Sequence, residues 1–219
     1  MTRRSALVTI KSSFGNAHQR FANASRDLGL LLLDRGRYDE ALVHLRNALS
    51  AYSATYPQGH NRVARSASDL GLALLLSGEP ASAEAQLRAA NAMFDGLSDK
   101  TPGDVLDARA RLADLLLIEG HDEQALVAAA RTVATASDDA VVRAYAASVQ
   151  AAALAALGRR TEAEGLASEL RPEPMQPFLV DHLTMARALS LYAGWASSDD
   201  ARRLQEDLEG KGFRDLAAP

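Results

Sequence analysis

The chain repeats itself every 42 residues, and this period restricts its fold more than any other feature of the sequence. A shift of 42 aligns Gly36 with Gly78 and Gly78 with Gly120, and DLGLLLLDRGRYDEAL falls on DLGLALLLSGEPASAE. A looser copy follows at Gly158, 38 residues beyond Gly120. Periods of about 20 to 50 residues are typical of arrays in which each unit packs against its neighbours. The sequence therefore predicts a chain of small, similar units.

Each unit has the apolar pattern of two helices. In the first unit, apolar residues recur at three- and four-residue spacing on both sides of Gly36. A glycine at that place can adopt the left-handed conformation that ends a helix, and Asp39 and Glu40 suit the first turn of the next helix. A composition with 47% apolar but only 5% aromatic residues also favours helix packing. Small residues at one equivalent position predict a close approach of the two helix backbones: Ala41, Ala83, Ala125 and Ala163.

The segment GRYDEA, preceded by Leu28-Gly29, resembles the tetratricopeptide repeat (TPR), whose pattern includes Leu-Gly and a later Ala. The aromatic positions of that pattern are softened, since Ser25 and Leu32 replace Trp and Tyr. The period of 42 exceeds the usual value of about 34. It is similar to the longer variant found in kinesin-light-chain-like repeats of bacterial regulatory proteins. The resemblance implies an all-α fold, a right-handed α-solenoid of stacked antiparallel helical hairpins.

The repeat also predicts how the chain is divided. Residues 1–17 match the second half of a unit, so we expect a natural remnant or a segment cut from a longer protein. Three prolines after Leu170 must interrupt any helical pattern. The expected organisation is a half unit at 1–17, units at about 18–59, 60–101, 102–137 and 138–170, a Pro-rich break at 171–177, a degenerate terminal helical hairpin at 178–213 and a frayed tail at 214–219.

The half unit bears on self-association. Without its first helix it exposes apolar positions such as Leu7 and Ile10. We therefore expect a homodimer, formed through the N-terminal half-hairpin or the solenoid ends, or docking to an absent segment.

No motif of catalysis or cofactor binding is present. The sequence has no Cys, no glycine-rich phosphate loop and no His-Glu-x-x-His motif, and its five histidines are too dispersed for local metal-ligand spacing. The pairs Asp138-Asp139 and Asp199-Asp200 stand before expected helices, where aspartate more often caps a helix than performs acid–base chemistry. We therefore expect no enzyme activity, no metal and no cofactor.

Charge and hydropathy exclude two classes of partner. The net charge is −4, and basic residues alternate with acidic ones, so no continuous basic stripe could follow a nucleic acid. No apolar run approaches the length of a membrane span, and the apolar run at the amino terminus is too short for a signal peptide. The expected location is the cytoplasm, with neither nucleic acid nor membrane as partner.

The surface of the first helices is the remaining candidate for function. In the solenoid that the resemblance implies, these helices line a concave groove, and solenoids bind proteins and peptides on such surfaces. Polar residues away from the apolar stripe could either contact a partner or pair between neighbouring hairpins. These candidates are Asn23, Arg26 and Asp27 in the first unit, Arg65, Ser68 and Asp69 in the second, and Asp107, Arg111 and Asp114 in the third.

The ligand chemistry of related repeats is not expected to carry over. Asp27 and Asp69 stand where kinesin-light-chain-like repeats often have Asn, and the Lys/Asn clamp by which some TPR domains hold a terminal carboxylate is not apparent. Two functions stay open. One is a scaffold that binds a peptide, a helix or a partner domain in the groove. The other is a C-terminal regulatory or oligomerisation segment of a larger bacterial signalling protein, a kinase or a transcription regulator.

Overall fold

The computed structural model describes residues 19–136 and 139–170, and every regular element in these ranges is a helix. The helices are α1 (Gln19–Leu33), α2 (Tyr38–Thr55), α3 (Asn61–Leu76), α4 (Pro80–Gly96), α5 (Pro102–Ile118), α6 (Asp122–Thr135), α7 (Ala140–Ala156) and α8 (Arg160–Glu169). The chain divides into two compact units, one up to Ala108 and one from Arg109 onwards. Each unit is considered by itself.

The first unit consists of consecutive helical hairpins. Helix α1 packs against α2, and α3 packs against α4, while α2 also contacts α3. The core between paired helices is built from fully buried aliphatic side chains such as Leu45 and Leu87. One cluster joins Ala64 of α3 and Phe94 of α4 to Val105 at the start of α5. Burial of these side chains is the main contribution to the stability of such a unit.

The second unit follows the same plan. Helix α6 packs against α7, and α7 packs against α8. Leu116 of α5, Ala125 of α6 and Ala153 of α7 form one core cluster. At the beginning of α7, the carboxylate of Asp139 accepts a hydrogen bond from the backbone N–H of Val142 at 3.0 Å, so Asp139 has the capping role that the sequence predicts.

The repeat glycines close the first helix of each hairpin in the predicted way. The backbone N–H of Arg37 donates to the carbonyl of Leu32 at 2.9 Å, which is the longer bond of the Schellman motif. This bond requires a left-handed backbone conformation at the residue before Arg37, which is Gly36, and glycine adopts that conformation without strain. The φ angles are 66° at Gly36, 81° at Gly78, 75° at Gly120 and 74° at Gly158.

The alanine that follows each of these glycines lies between the two helices of its hairpin. The sequence predicts a close approach of the backbones at this position, and the side chains are in fact almost completely buried. Their exposed fractions are 0% at Ala41, 0% at Ala83, 0% at Ala125 and 1% at Ala163.

A second close approach was not foreseen from the sequence. A methyl group on Gly29 would lie 2.7 Å from Cγ of Leu45, and one on Gly71 would lie 2.6 Å from Cγ of Leu87. In each of these two hairpins, a leucine of the second helix therefore packs directly against the glycine of the Leu-Gly pair on the first helix. The two later hairpins have alanine at both equivalent positions: Ala113 with Ala129, and Ala151 with Ala167.

The all-α class and the helical hairpins predicted by the repeat are confirmed for the described residues. The division into repeat units stays a prediction. Several predicted segments lie outside the described residues: the half unit, the Pro-rich break, the terminal hairpin and the tail. Asp138 and the Asp199-Asp200 pair lie outside them as well. Because the half unit is among these segments, the predicted dimer contact also stays a prediction. None of the described helices is both long and apolar enough to cross a membrane.

Candidate partner-binding site on the first helices

The nine polar residues predicted to contact a partner differ in exposure. Asp27 is exposed, whereas Asn23, Arg26, Arg65 and Asp107 are partly exposed. These five side chains are accessible to a partner. The other four have exposed fractions of 1% (Ser68), 1% (Asp69), 6% (Arg111) and 2% (Asp114), and Tyr145 donates a hydrogen bond to the carboxylate of Asp114.

An ion pair joins the first helices of the first two hairpins. Nε of Arg26 on α1 donates to Oδ2 of Asp69 on α3 at 2.6 Å. The Asp69 side chain is 1% exposed and that of Arg26 is 17% exposed. A buried carboxylate needs charged or hydrogen-bonding partners to offset its loss of hydration. This pair is therefore a case of pairing between neighbouring hairpins, and it fixes the position of the Arg26 guanidinium.

Beside this pair, Asn23 connects three helices. Its Oδ1 accepts a hydrogen bond from the Tyr52 hydroxyl of α2 at 2.5 Å, and another from Nη1 of Arg62 on α3 at 3.2 Å. Tyr52 is almost completely buried, with 1% of its surface exposed, while Asn23 and Arg62 are partly exposed. A single amide oxygen thus orients both a phenol and a guanidinium.

Local structure at the start of α3 positions Arg62. The backbone N–H of Arg62 donates to Nδ1 of His60 at 3.0 Å, so His60 caps the helix. The His60 ring stacks on Tyr56, with the ring centroids 4.1 Å apart. Gly59 precedes this cap with a φ of 88°. The turn between α2 and α3 therefore places the first residues of α3 in a defined orientation.

Arg65, one turn further along α3, is only weakly neutralised. Its Nη1 lies 3.9 Å from Oδ1 of Asp104, and its Nε is buried without a hydrogen-bond partner. Asn61 donates to Oγ1 of Thr101 at 2.8 Å and to Oδ2 of Asp104 at 3.1 Å, whereas its own Oδ1 is buried without a partner. This part of the surface therefore has one donor and one acceptor that the described residues leave unsatisfied.

The charges of three guanidinium groups act on the Tyr52 hydroxyl. Burial raises the pKa of Tyr52 above its ordinary value, and the hydrogen bond with Arg62 and the charges of Arg26, Arg62 and Arg65 oppose part of this rise. We call Arg26, Arg62 and Arg65 the arginine cluster. It lies entirely within the first unit.

We expect alkaline pH to weaken the fold through Tyr52. Because its pKa is higher in the folded than in the unfolded chain, the neutral phenol contributes stability fully below the unfolded pKa of about 10, and this contribution disappears as pH rises through the folded pKa. Thermal unfolding should be measured from about pH 8 to about pH 11. Over this range Tyr52→Phe should lose less folding stability than the unmodified protein. Tyr56→Phe, which also removes one tyrosine hydroxyl from the first unit, is the comparison variant. If the stability of Tyr52→Phe fell with pH as steeply as that of the unmodified protein, the prediction would be contradicted.

Sequence reasoning missed Arg62 and Tyr52 as members of this site. Arg62 did carry a signal, because Arg20 stands at the equivalent position of the first unit. Tyr52 belongs to the apolar stripe of α2, and its helical spacing says nothing about the partner of its hydroxyl. Only the packing of α1 against α2 brings that hydroxyl to Asn23.

The side chains of this site are mainly hydrogen-bond donors, which suits them to bind anions. Guanidinium, phenol and amide N–H groups bind oxygen atoms, and guanidinium binds carboxylates with particular geometric fit. In the part of the chain that the structure describes, no group of three or more His, Asp or Glu side chains could hold a metal ion.

Known proteins share this architecture. Residues 20–95 match the family model of the tetratricopeptide repeat. Among solved structures, the chain is similar to a Podosopora anserina protein described as a kinesin light chain with nearly identical TPR-like repeats, and to a variant of that protein. Each alignment has 18% sequence identity and a TM-score of 0.60, and covers 89% of this chain and 95% or 96% of the other. A search of curated proteins finds no match.

At this level of identity, the likeness to solved structures concerns the fold alone. It agrees with the helical hairpins and with the solenoid class that the repeat predicts. TPR repeats generally mediate protein–protein interactions, and their fold is typical of non-catalytic scaffolds. The family match lies on the two hairpins with the clearest 42-residue repeat. Residues 20–95 are therefore similar to the tetratricopeptide repeat, and the likeness of the longer chain to solved structures concerns its helical fold.

Proposed function

We propose that the chain is a protein-interaction scaffold that binds a peptide, a helix or a partner domain through its first helices, which line the concave groove. The observation that carries this proposal is a set of partly exposed polar side chains on α1 and α3 that are held in place from within the protein. Asn23 is bonded to Tyr52, and Arg26 is bonded to Asp69. Side chains that are already ordered lose less conformational entropy when a ligand binds.

The exposed side chains of the second helices are not held in place by buried partners in this way. Their exposed charges pair locally, as Arg37 just before α2 does with Glu40, and as Arg88 does with Glu84 on α4. Such solvated pairs contribute little energy and leave little unused bonding capacity. The first helices therefore offer the better surface for a polar ligand, and no cofactor is needed for this activity. We place it in the cytoplasm.

Selection from a random peptide library on the immobilised protein tests this function. Peptides that are enriched should bind at least about ten-fold more weakly to the double variant Arg62→Ala/Arg65→Ala, because charged hydrogen bonds of the groove are lost. The matched control is Arg46→Ala/Arg88→Ala, which removes two exposed arginines from the second helices of the same unit. Equal binding by both double variants, or no enrichment at all, would count against the proposal.

A further inference from the structure

Four residues of α1 form a stripe along one side of this helix. They follow one another at spacings of four, three and four residues, which places them on one face: Arg20, Ala24, Asp27 and Leu31. Arg20 and Asp27 are exposed, whereas Ala24 and Leu31 are partly exposed. We call these four residues the α1 edge.

The equivalent stripe of α3 contacts the preceding first helix. A shift of 42 residues leads from the α1 edge to four residues of α3: Arg62, Ser66, Asp69 and Ala73. The last three of them have exposed fractions of 0%, 1% and 0%. Asn23 of α1 accepts a hydrogen bond from Arg62 at 3.2 Å. Arg26 of α1 donates to Asp69 at 2.6 Å. Within the first unit, a stripe of this kind therefore receives the first helix of another hairpin.

Asp27 lacks the partner that its equivalent on α3 has. In the described ranges, the Asp27 side chain takes part in no hydrogen bond and no ion pair, whereas Asp69 is buried against Arg26. Water hydrates the exposed Asp27 carboxylate. A helix that covered this carboxylate would remove the water, so that helix would have to supply a charged donor in exchange. The chemistry of the α1 edge thus selects a helix with an arginine at the place that Arg26 has opposite Asp69.

We propose that the α1 edge docks a further helical hairpin supplied by a partner, and that an arginine of its first helix binds the carboxylate of Asp27. Burial of Ala24 and Leu31 contributes apolar area to this contact. The partner helix has an acceptor side chain three residues before its arginine, as Asn23 precedes Arg26, and this acceptor faces Arg20. The inference goes beyond the proposed function and does not depend on it, because this contact adds a helical hairpin beside α1 and needs no ligand in the groove.

The later hairpins of the described chain do not carry this arginine. The residues equivalent to Arg26 on α3, α5 and α7 are small and uncharged: Ser68, Ala110 and Ser148. A second copy that presented α7 to the α1 edge would place Ser148 opposite Asp27 and leave the carboxylate without a charged donor. We therefore assign the docked hairpin to a different partner, one whose first helix has the arginine.

The test lengthens the full chain by a second copy of residues 19–60, inserted between residues 18 and 19. The insert has 42 residues, so its arginine stands 43 residues before Asp27 of the original α1, which is the separation of Arg26 from Asp69. The insert thus serves as the probe hairpin. Asp27→Ala in the original α1 should lower the unfolding temperature of the lengthened chain by about 4–8 °C, and that of the unmodified chain by less than about 2 °C.

Two matched variants show whether the arginine is responsible. Arg26→Met in the insert alone should abolish the effect of Asp27→Ala, because the carboxylate then has no charged donor to lose. Asp39→Ala, which removes an exposed carboxylate from the original α2, should have the same effect in the lengthened and the unmodified chain. An equal effect of Asp27→Ala in the two chains would overturn the inference. So would a lengthened chain that unfolds at a lower temperature than the unmodified one, because its insert would not be docked.

The unmodified chain distinguishes the proposed partner from two other occupants of the α1 edge. If Asp27→Ala lowered its unfolding temperature by about 4 °C or more, residues 1–17 of the same chain would already cover the edge. If Asp27→Ala lowered the mass measured by sedimentation equilibrium at the same concentration, a second copy would occupy it. Either result would overturn the inference.

Discussion

Gly71→Ala should destabilise the protein by about 1–3 kcal/mol, even though alanine is the better helix former. The added methyl group would lie 2.6 Å from both Cγ and Cδ2 of Leu87. Leu87 is fully buried, so its side chain cannot move aside into solvent. The gain in helix propensity, at most about 1 kcal/mol, is smaller than the cost of forcing the two helices apart.

A compensating change should recover part of this loss. Leu87→Ala alone should cost about 2–5 kcal/mol, because it leaves a cavity in the core of the hairpin. In the double variant Gly71→Ala/Leu87→Ala, the new methyl group occupies part of that cavity, so the total cost should be smaller than the sum of the two single costs by about 1 kcal/mol or more. The later hairpins already combine two alanines at these positions, Ala151 with Ala167.

Urea unfolding provides the measurement. The free energies of unfolding are compared between variants whose free energy depends on urea concentration with the same slope. Gly165→Ala is the control, because this helical glycine of α8 is exposed and has no atom within 4 Å of the added methyl position. It should stabilise the chain by about 0.5–1 kcal/mol through the unfolded state. If Gly71→Ala stabilised the chain to the same extent, the close approach of Leu87 would be refuted.

Loss of the buried ion pair should have the second large effect. Asp69→Ala and Arg26→Met should each destabilise the chain by about 2–3 kcal/mol, since each leaves a charge in the hairpin interface without this partner. The estimate lies below the value of about 3–5 kcal/mol for fully buried pairs because Arg26 is 17% exposed. Asp69→Leu/Arg26→Met, which replaces both charges by apolar groups, should cost less than the sum of the single changes.

The pair Arg88 and Glu84 is the control for this double-mutant cycle. Its side chains are 57% and 39% exposed, and both lie on α4 of the same unit. Its coupling energy should be no more than about 0.5 kcal/mol and should fall further with added salt. The coupling between Arg26 and Asp69 should be larger and nearly independent of salt. Similar couplings in the two cycles would show that the Arg26–Asp69 pair contributes no more than a surface pair.

The local features of each hairpin could be predicted from the sequence. Helical periodicity, the left-handed glycine and the small alanine depend on residues that are near each other along the chain. For that reason Gly36 and Ala41 have the backbone conformation and burial that the repeat indicates. The role of Gly71 could not be predicted in the same way, because Leu87 reaches it only after the hairpin closes.

The repeat by itself determined the helical hairpins and their turns, and its resemblance to a known family indicated the helix on which to look for a ligand. Only the tertiary structure decided which polar residues of that helix remain accessible. Asp27 and Asp69 are equivalent in the repeat, yet Asp27 is exposed, whereas Asp69 is buried against Arg26 of the preceding hairpin. Burial depends on the side chains that a neighbouring hairpin supplies, and these differ from unit to unit. The same packing gave Arg62 its place beside Tyr52, which no period in the sequence could specify.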